Sequence, residues 1–321
     1  MSPRSALAPH PRIKSGAGSP ATRVPWRTED APSSGAGFPG AKPTGEAPLR
    51  GEGGRRTHAY VERAPRVAPT LPSPASGGGL GRRRGEGKRQ LAGRILYRDG
   101  LILVIDKPAG IAVHPGPGGG PDLESGFDAL RFGLPYPPAL AHRLDRDTSG
   151  CLVLGRHPKA LRRLGALFSG GLVEKVYWAV VEGRPLKAQG RSETGLKKLT
   201  RGTGWRMVVD PAGQQAVTNY RLLGADGSRA WLELRPRTGR THQLRVHCSA
   251  FGCPVVGDPV YGNRQGGEGL QLYARSVRLP LYPNRPPLEV TARVRPHMLT
   301  ALTRLGYDPD SEASSRSKSD G

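Results

Sequence analysis

The stretch HRLDRDTSGCLVLG, residues 142–155, joins a charged loop to an apolar run and indicates the kind of sheet this chain builds. Its first half places Asp145 between Arg143 and Arg146, and the Thr-Ser-Gly that follows favours a turn. Its second half is a short apolar segment typical of a buried strand. Asp145 is therefore either half of a loop ion pair or a reactive carboxylate presented at the end of a strand. Spacing alone favours the ion pair.

Strand patterns outnumber helical patterns on both sides of this stretch. Residues 94–110, RILYRDGLILVIDKPAG, predict a hairpin with an Asp-Gly turn. Further strands are predicted within residues 173–185, 214–224, 229–237, 269–281 and 286–294, and helices within 121–134, 158–171 and 241–252. Because the helices do not alternate strictly with the strands, we predict an α+β fold: a mixed, largely antiparallel sheet with flanking helices.

The chain divides into three segments by composition. In residues 1–90, 28 positions are Gly or Pro, and apolar periodicity is missing, so we expect a disordered basic tail. This tail is either a nonspecific RNA-binding arm or translated sequence upstream of the true start. Residues 91–308 form the predicted catalytic domain, and the polar residues 309–321 a second disordered tail.

The charge of the chain predicts a polyanionic partner. The formal net charge is +23 and the pI is about 10.8, which favours nucleic acid, with a basic membrane-surface protein as the alternative. The sequence shows neither a membrane-spanning apolar run nor a secretory signal, and its three cysteines do not form a disulfide framework. We therefore expect a cytoplasmic monomer with no membrane partner.

A second charged passage, RPRTGRTHQLRVH, spans residues 235–247 and predicts a helix start. Thr241 is the expected N-cap and Gly252 the expected stop. Arginines beside a helix N-terminus are suited to binding phosphate, so we predict that Arg240, His242 and Gln243 contact RNA. The alternative is a solvated basic helix face.

Four passages, in order along the chain, resemble the RluA-type pseudouridine synthases. They are LILVIDKPAGIAVHPG (101–116), HRLDRDTSG (142–150), EKVYWAVVEG (174–183) and RTGRTHQLRVHCSAFGCPVVGDPVYG (237–262). The resemblance implies a mixed-sheet domain with structured RNA, tRNA and/or ribosomal RNA, bound in a cleft across it. It implies isomerisation of a flipped-out uridine without a metal or organic cofactor. A separate RNA-binding module is not recognisable before this domain.

The same resemblance implies a role for individual residues. Asp145 would be the nucleophile and Arg245 its partner, because a neighbouring guanidinium favours an ionised carboxylate. Tyr177 would pack against the uracil ring, Leu244 would line the base pocket, and Arg143 would help to hold the place of the flipped-out nucleotide. The sequence does not distinguish two roles for Asp145, attack on C1′ of the ribose and removal of a proton at C2′.

Two alternatives to the enzyme come from other functional classes. One is an RNA-binding or RNA-folding factor without catalysis, and the other is a DNA-binding protein, for which the sequence offers no helix-turn-helix signal. Tyr273 stands where the family often has His, so we assign it no catalytic role. His114 is expected to be a hydrogen-bonding loop residue.

Overall fold

The computed structural model describes residues 91–115, 120–202, 204–262 and 267–311. The predicted tail over 1–90 and residues 312–321 of the second predicted tail lie outside them. The described residues form one eleven-stranded sheet. Its strands are β1 (Ile95–Arg98), β2 (Ile102–Lys107), β3 (Ala139–Leu140), β4 (Ser149–Gly155), β5 (Glu174–Glu182), β6 (Gln189–Arg201), β7 (Gly204–Val209), β8 (Gln214–Ala225), β9 (Arg229–Pro236), β10 (Leu272–Leu279) and β11 (Leu288–Thr291).

The sheet is mixed and largely antiparallel, which confirms the predicted fold class. Its main path runs β1-β2-β4-β10-β5-β9-β8-β6-β7, with β3 beside β4 and β11 beside β10. Among the described strands, the pair β4–β10 is parallel and the other neighbours are antiparallel. Gly150 makes the parallel pair possible, since a Cβ there would lie 2.3 Å from the carbonyl oxygen of Ala274. The motif strand β4 is the third of nine strands on this path and has hydrogen-bonded neighbours on both sides.

Two predicted turns have the expected chemistry. Between β1 and β2, Asp99 Oδ1 accepts hydrogen bonds from the backbone N–H groups of Leu101 and Ile102, at 2.7 and 2.8 Å. Between β8 and β9, Asp226 Oδ1 accepts the N–H groups of Ser228 and Arg229, both at 2.7 Å. An Asp side chain that bonds its own backbone two or three residues on stabilises a tight turn, so the Asp-Gly signals were read correctly.

Hydrophobic clusters cover both faces of the sheet, because successive side chains of a strand point to opposite faces. Along β2, Ile102 and Val104 enter one hydrophobic cluster, whereas Leu103 and Ile105 enter another. The first cluster packs under the helices α1 (Pro158–Ser169) and α3 (Pro296–Arg304), and the second under a short 3-10 helix (Glu124–Leu130). Helix α2 (Gln243–Ala250) covers the second face farther along the sheet, against β5 and β9. No helix of the described residues is long and apolar enough to span a membrane.

The predicted start of α2 is wrong, and its predicted end is right. The residue before the helix is His242, in the left-handed conformation with φ +53°, and not Thr241. Gly252 has φ +77°, and its N–H bonds the carbonyl of Ser249 while the N–H of Cys253 bonds that of Cys248. This pair of bonds is a Schellman motif, which requires a left-handed residue just after the helix.

Three elements were not predicted from the sequence. Strands β6 and β7 form a mostly exposed hairpin, so they lack a strong apolar alternation. Helix α3 is nine residues long, and within it only Met298 and Leu302 are buried.

The helix predicted within 121–134 is present only as the 3-10 helix, in which Phe127 and Leu130 are buried. Short or edge elements carry too little periodicity to be read from the chain alone.

Candidate active site

The loop that carries Asp145, residues 141–148, is anchored from below by a buried lysine. Lys107 ends β2 and has no exposed surface. Its Nζ donates to the carbonyls of Pro108, Arg146 and Thr148 at 2.9, 2.8 and 2.9 Å. Burial lowers the pKa of Lys107 to about 8, partly offset by the charges of Asp147 and Asp145. One ammonium group therefore satisfies two carbonyls of the loop, on either side of Asp147.

A histidine anchors the first half of the same loop. His142 Nε2 accepts the backbone N–H of Val153 at 3.0 Å, and its ring stacks on Phe168 with centroids 4.7 Å apart. Burial lowers the pKa of His142 to about 3, so the ring stays neutral and acts as an acceptor. Together with Lys107, this contact ties the loop to β2 and β4. Asp145 therefore sits on a loop whose backbone position is set by the sheet.

Asp145 faces two nitrogen groups across the cleft. Its side chain is 20% exposed, and its Oδ2 lies 3.9 Å from Arg245 Nη1 and 4.0 Å from His242 Nε2. The predicted pairing of Asp145 with Arg245 is thus present, although at a longer distance than a direct hydrogen bond. A carboxylate that is partly open to solvent can contact a molecule bound in the cleft.

Arg245 has a stronger partner than Asp145, and sequence reasoning missed it. Its Nε and Nη2 donate to Oδ2 and Oδ1 of Asp258, both at 2.7 Å. Asp258 also accepts the N–H groups of Val260 and Tyr261 and has no exposed surface. Burial alone would raise the pKa of Asp258 and lower that of Arg245. Burial is the largest single effect on each, but their mutual hydrogen bonds and charges, together with the backbone N–H bonds to Asp258 and the charge of Asp145 near Arg245, outweigh it. The pKa of Asp258 is therefore lowered and that of Arg245 is raised.

The ring of His242 is held by a tyrosine that also supports the neighbouring hairpin. Tyr261 Oη accepts the backbone N–H of Met207 at 2.9 Å and lies 2.9 Å from His242 Nδ1. When the hydroxyl donates to Nδ1, the ring proton lies on Nε2, the nitrogen that faces Asp145. Burial lowers the pKa of His242, and the charge of Asp145 opposes that effect. His242 was predicted to contact RNA, and the structure places it beside the carboxylate.

The cleft around Asp145 has a volume of about 560 Å³ and is lined by both apolar and basic side chains. Tyr177 and Leu244 lie on its wall. The neighbouring Trp178 points to the opposite face of the sheet, where it packs edge-on against Trp231 with centroids 4.7 Å apart. Burial, and then the charge of Asp145, raise the pKa of Tyr177, so its phenol stays neutral beside the carboxylate.

The predicted RNA-contacting residues fall into two groups. Arg143 and Arg240 are exposed in the cleft lining, where they can reach a phosphate. Gln243 is different, because its amide is fully used inside the protein. Its Oε1 accepts from Thr238 Oγ1 and the N–H of Arg240 at 2.7 and 3.0 Å, and its Nε2 donates to Val217 and Thr218. Gln243 therefore shapes the turn before α2, and we withdraw it as an RNA-contacting residue.

The remaining lining residues make the cleft strongly basic. Lys175 and Arg237 lie in it, and neither was predicted from the sequence. Among the described residues that line the cleft, Asp145 is the single carboxylate. A cleft lined by basic residues, with a single carboxylate at its bottom, suits a polyanion whose sugar or nucleobase must approach that carboxylate.

Tyr273 is buried, and its hydroxyl donates to the carbonyl of Arg293. His114 lies in a loop, with its Nδ1 2.7 Å from Glu124 Oε2.

Sequence signals for the missed residues exist but are weak. Lys107 follows the apolar run of residues 101–105 after one intervening residue, at the end of a strand where a charged side chain must find buried partners. Asp258 follows Gly257, whose φ is +72° and whose Cβ would lie 2.3 Å from the carbonyl of Gly269. In the described part of the chain, no group of three His, Cys, Asp or Glu residues is arranged to hold a metal ion.

Comparison with known proteins agrees with this geometry. Residues 101–250 match the family model described as RNA pseudouridylate synthase. An uncharacterized RNA pseudouridine synthase of Zymomonas mobilis is 42% identical over 221 residues, which cover 68% of this chain and 99% of that protein. Ribosomal large subunit pseudouridine synthase D of Xanthomonas campestris is 42% identical over 173 residues, 52% of this chain and 51% of that protein.

A solved human structure extends the likeness to the fold. Human RNA Pseudouridylate Synthase Domain Containing 4 superposes with a TM-score of 0.60 at 28% identity, covering 70% of this chain and 98% of that one. This chain spans nearly all of the Zymomonas protein but about half the length of several other curated relatives.

Proposed function

This chain belongs to the RluA-type family of RNA pseudouridine synthases, which are isomerases, and we propose that it converts uridine to pseudouridine with Asp145 as the nucleophile. The observation that carries the proposal is the position of Asp145. It is the single carboxylate among the described residues that line a positively charged cleft, and it lies 3.9 Å from Arg245 Nη1. The anchored loop supports it, because a reacting group must be held in place before its substrate arrives.

The reaction needs no co-reactant. The N1–C1′ bond breaks, the uracil turns, and a C5–C1′ bond forms, while C5 loses a proton and N1 gains one. Asp145 would serve either by attacking C1′ or by removing a proton at C2′. Both routes use an ionised carboxylate beside the ribose.

The target uridine must flip out of the stacked bases of the RNA to reach Asp145 in the cleft. Extrusion of a base costs a few kcal/mol. We propose that Arg143, Arg240, Lys175 and Arg237 offset this cost through phosphate contacts, and that the ring of Tyr177 packs on the uracil. Stacking of this kind contributes roughly 1–3 kcal/mol per base. The exposed or half-buried position of these residues in one cleft supports the assignment.

We propose structured ribosomal RNA as the first substrate to test and tRNA as the second. The relatives named for the large ribosomal subunit support this order. We also propose that the protein acts in the cytoplasm as a monomer. Its three cysteines, Cys151, Cys248 and Cys253, are free and buried, which is compatible with a reducing compartment.

The test is a map of pseudouridines by carbodiimide modification in ribosomal RNA and tRNA, from cells with and without the gene. We expect at least one site to vanish on deletion and to return with the wild-type gene but not with Asp145→Asn. If no site changes, and the purified protein forms no pseudouridine in either RNA, the proposal fails. A growth defect cured equally by Asp145→Asn would identify an RNA-binding role without catalysis.

A further inference from the structure

The hairpin of β6 and β7 reaches over the start of α2 and is fixed there. The N–H of Met207 donates to Tyr261 Oη at 2.9 Å. Leu196 of β6 and Val246 of α2 are buried in one small cluster, with Met207 and Tyr261 packed against it. Since Tyr261 also holds His242, the hairpin and the active-site histidine share one support. These contacts within the protein therefore fix the position of the hairpin relative to the cleft.

Trp205, on β7, is exposed beside the active site. Its exposed fraction is 45%, whereas Trp178 and Trp231 pack against each other in the core. The Trp205 ring stacks on His242, with centroids 5.1 Å apart and planes 25° apart. His242 Nε2 in turn lies 4.0 Å from Asp145. One imidazole therefore separates an exposed indole from the carboxylate of the cleft.

The hairpin carries a charge that suits a polyanion. Residues 189–209 contain five Lys or Arg residues and one Glu. Lys198, Arg201 and Arg206 are exposed, and none of the three pairs with a carboxylate of the described residues. Lys198 Nζ lies 4.9 Å from the centre of the Trp205 ring. An exposed lysine over an aromatic ring can give up this position to a base and move to a neighbouring phosphate.

We propose that Trp205 is a stacking platform for a nucleobase next to the target uridine in single-stranded RNA, with Lys198, Arg201 and Arg206 on the adjoining phosphates. This inference rests on the proposed function for the identity of the nucleotide in the cleft. An exposed aromatic ring flanked by cations is the combination that binds single-stranded nucleic acid without strict sequence preference. RNA bound at such a site would present a loop or a splayed strand to the enzyme, not an intact duplex.

The test compares an RNA with bases and one without. The probes are an oligouridine of about 12 nucleotides and an abasic ribose-phosphate chain of the same length, both labelled for fluorescence anisotropy with the full chain. Wild type should bind the oligouridine more tightly than the abasic chain. Trp205→Ala should weaken oligouridine binding about tenfold and leave abasic binding unchanged, because only stacking is lost. Lys198→Gln should weaken both and reduce the slope of affinity against salt by about one.

Three matched variants separate stacking from simple packing. Trp205→Phe keeps an aromatic face and should retain most of the roughly tenfold contribution of Trp205 to the preference for bases, whereas Trp205→Leu keeps apolar bulk and should lose that contribution. Tyr136 is also an exposed aromatic residue but does not line the cleft, so Tyr136→Ala should bind both probes as wild type does. The inference is overturned if Trp205→Ala keeps the wild-type preference, or if Trp205→Leu behaves as Trp205→Phe does.

Binding is measured without turnover, so the inference and the proposed function can fail separately. The same titrations with Asp145→Asn should show the wild-type preference. Pseudouridine formation by wild type together with an unchanged preference in Trp205→Ala would reject only the platform. A lost preference in Trp205→Ala together with no pseudouridine formed by wild type would reject only the enzymatic function.

Discussion

Arg245 gives one edge of its guanidinium to Asp258 through two hydrogen bonds of 2.7 Å. This leaves Nη1 as the group directed at Asp145, 3.9 Å from its carboxylate. The guanidinium also lies over the ring of Tyr261, with its carbon 5.1 Å from the ring centre. The Nε–Nη2 edge of the guanidinium contacts Asp258 and its face contacts Tyr261, so Nη1 is the amino group that faces Asp145. Asp258 therefore determines which amino group Arg245 presents to Asp145.

Replacing Asp258 with Asn should slow the chemical step and destabilise the fold. The change leaves a buried guanidinium without its charge partner, which costs on the order of 3–5 kcal/mol. In urea unfolding we expect a loss of this size. Where the variant is folded, we expect a fall in kcat with KM nearly unchanged, because Arg245 no longer aims Nη1.

The control is the double variant Arg245→Met with Asp258→Leu, which removes both charges. It should recover much of the stability, since no buried charge is left unpaired, and it should stay inactive. Wild-type kcat in the folded Asp258→Asn variant would contradict the positioning role.

Replacing Asp145 with Asn should abolish turnover and leave RNA binding intact. The amide keeps the shape of the side chain but cannot act as an anionic nucleophile or base, so we expect a loss of roughly three orders of magnitude or more in rate. Rates come from single-turnover pseudouridine formation, and affinity from anisotropy. Asp147→Asn on the same loop is the control and should retain activity within about tenfold. Comparable losses in both variants would mean that loop charge, not the nucleophile, is being measured.

Activity should fall as the pH rises through about 8, the pKa of Lys107. The ammonium has three N–H groups for three carbonyls, whereas the neutral amine has two, so one carbonyl contact to the Asp145 loop or to Pro108 is lost above that pH. A profile of kcat between pH 6 and about 9.5 measures this limb. Lys107→Met should be slow at every pH and should lack it. A wild-type profile that stays level up to that limit would contradict the assignment.

Stability should fall as the solution is acidified from neutral pH, in part because of His247. Its ring is fully buried and bonded to Thr194 and Thr218, and burial lowers its pKa to about 4. The unfolded chain takes up this proton near pH 6.5, and the folded chain only near pH 4. Stability from this group is therefore complete above about 6.5 and is lost as the pH falls toward 4, by on the order of 3 kcal/mol.

The measurement for His247 is urea unfolding at several values between pH 7 and about 4.5. His247→Gln should show a clearly smaller loss over that range than wild type, because Gln carries no titratable proton. Parallel curves for the two proteins would show that His247 does not contribute. The comparison is between variants, since other groups, His142 among them, titrate on the same side of neutrality.

The sequence correctly predicted the sheet class and the apolar strand that follows the Asp145 loop. The hairpin signal of β1 and β2, the alternation along β5, the Asp-Gly turns and the glycine that ends α2 are local properties, so local chemistry was enough to predict them. The four ordered passages that led to Asp145, Tyr177 and Arg245 are contiguous segments as well, so they could be recognised before any contact was known.

Other parts of the site depend on contacts between segments far apart in the chain. Lys107 and Arg146 are 39 residues apart, and Trp205 and His242 lie on different elements. Gln243 shows the same limit in reverse, since a polar residue at a helix start gives no sign that four hydrogen-bond partners within the protein already use its amide. Spacing along the chain cannot state which side chains share a partner.

What the sequence determined by itself is therefore the set of parts: a mixed sheet, a carboxylate on a loop before β4, and a basic helix start. What only the tertiary structure decided is how those parts are paired. Arg245 makes its two hydrogen bonds to Asp258 and presents Nη1 to Asp145, because a buried guanidinium must be satisfied by hydrogen-bond partners within the fold. That requirement is met by packing, and packing is a property of the folded chain.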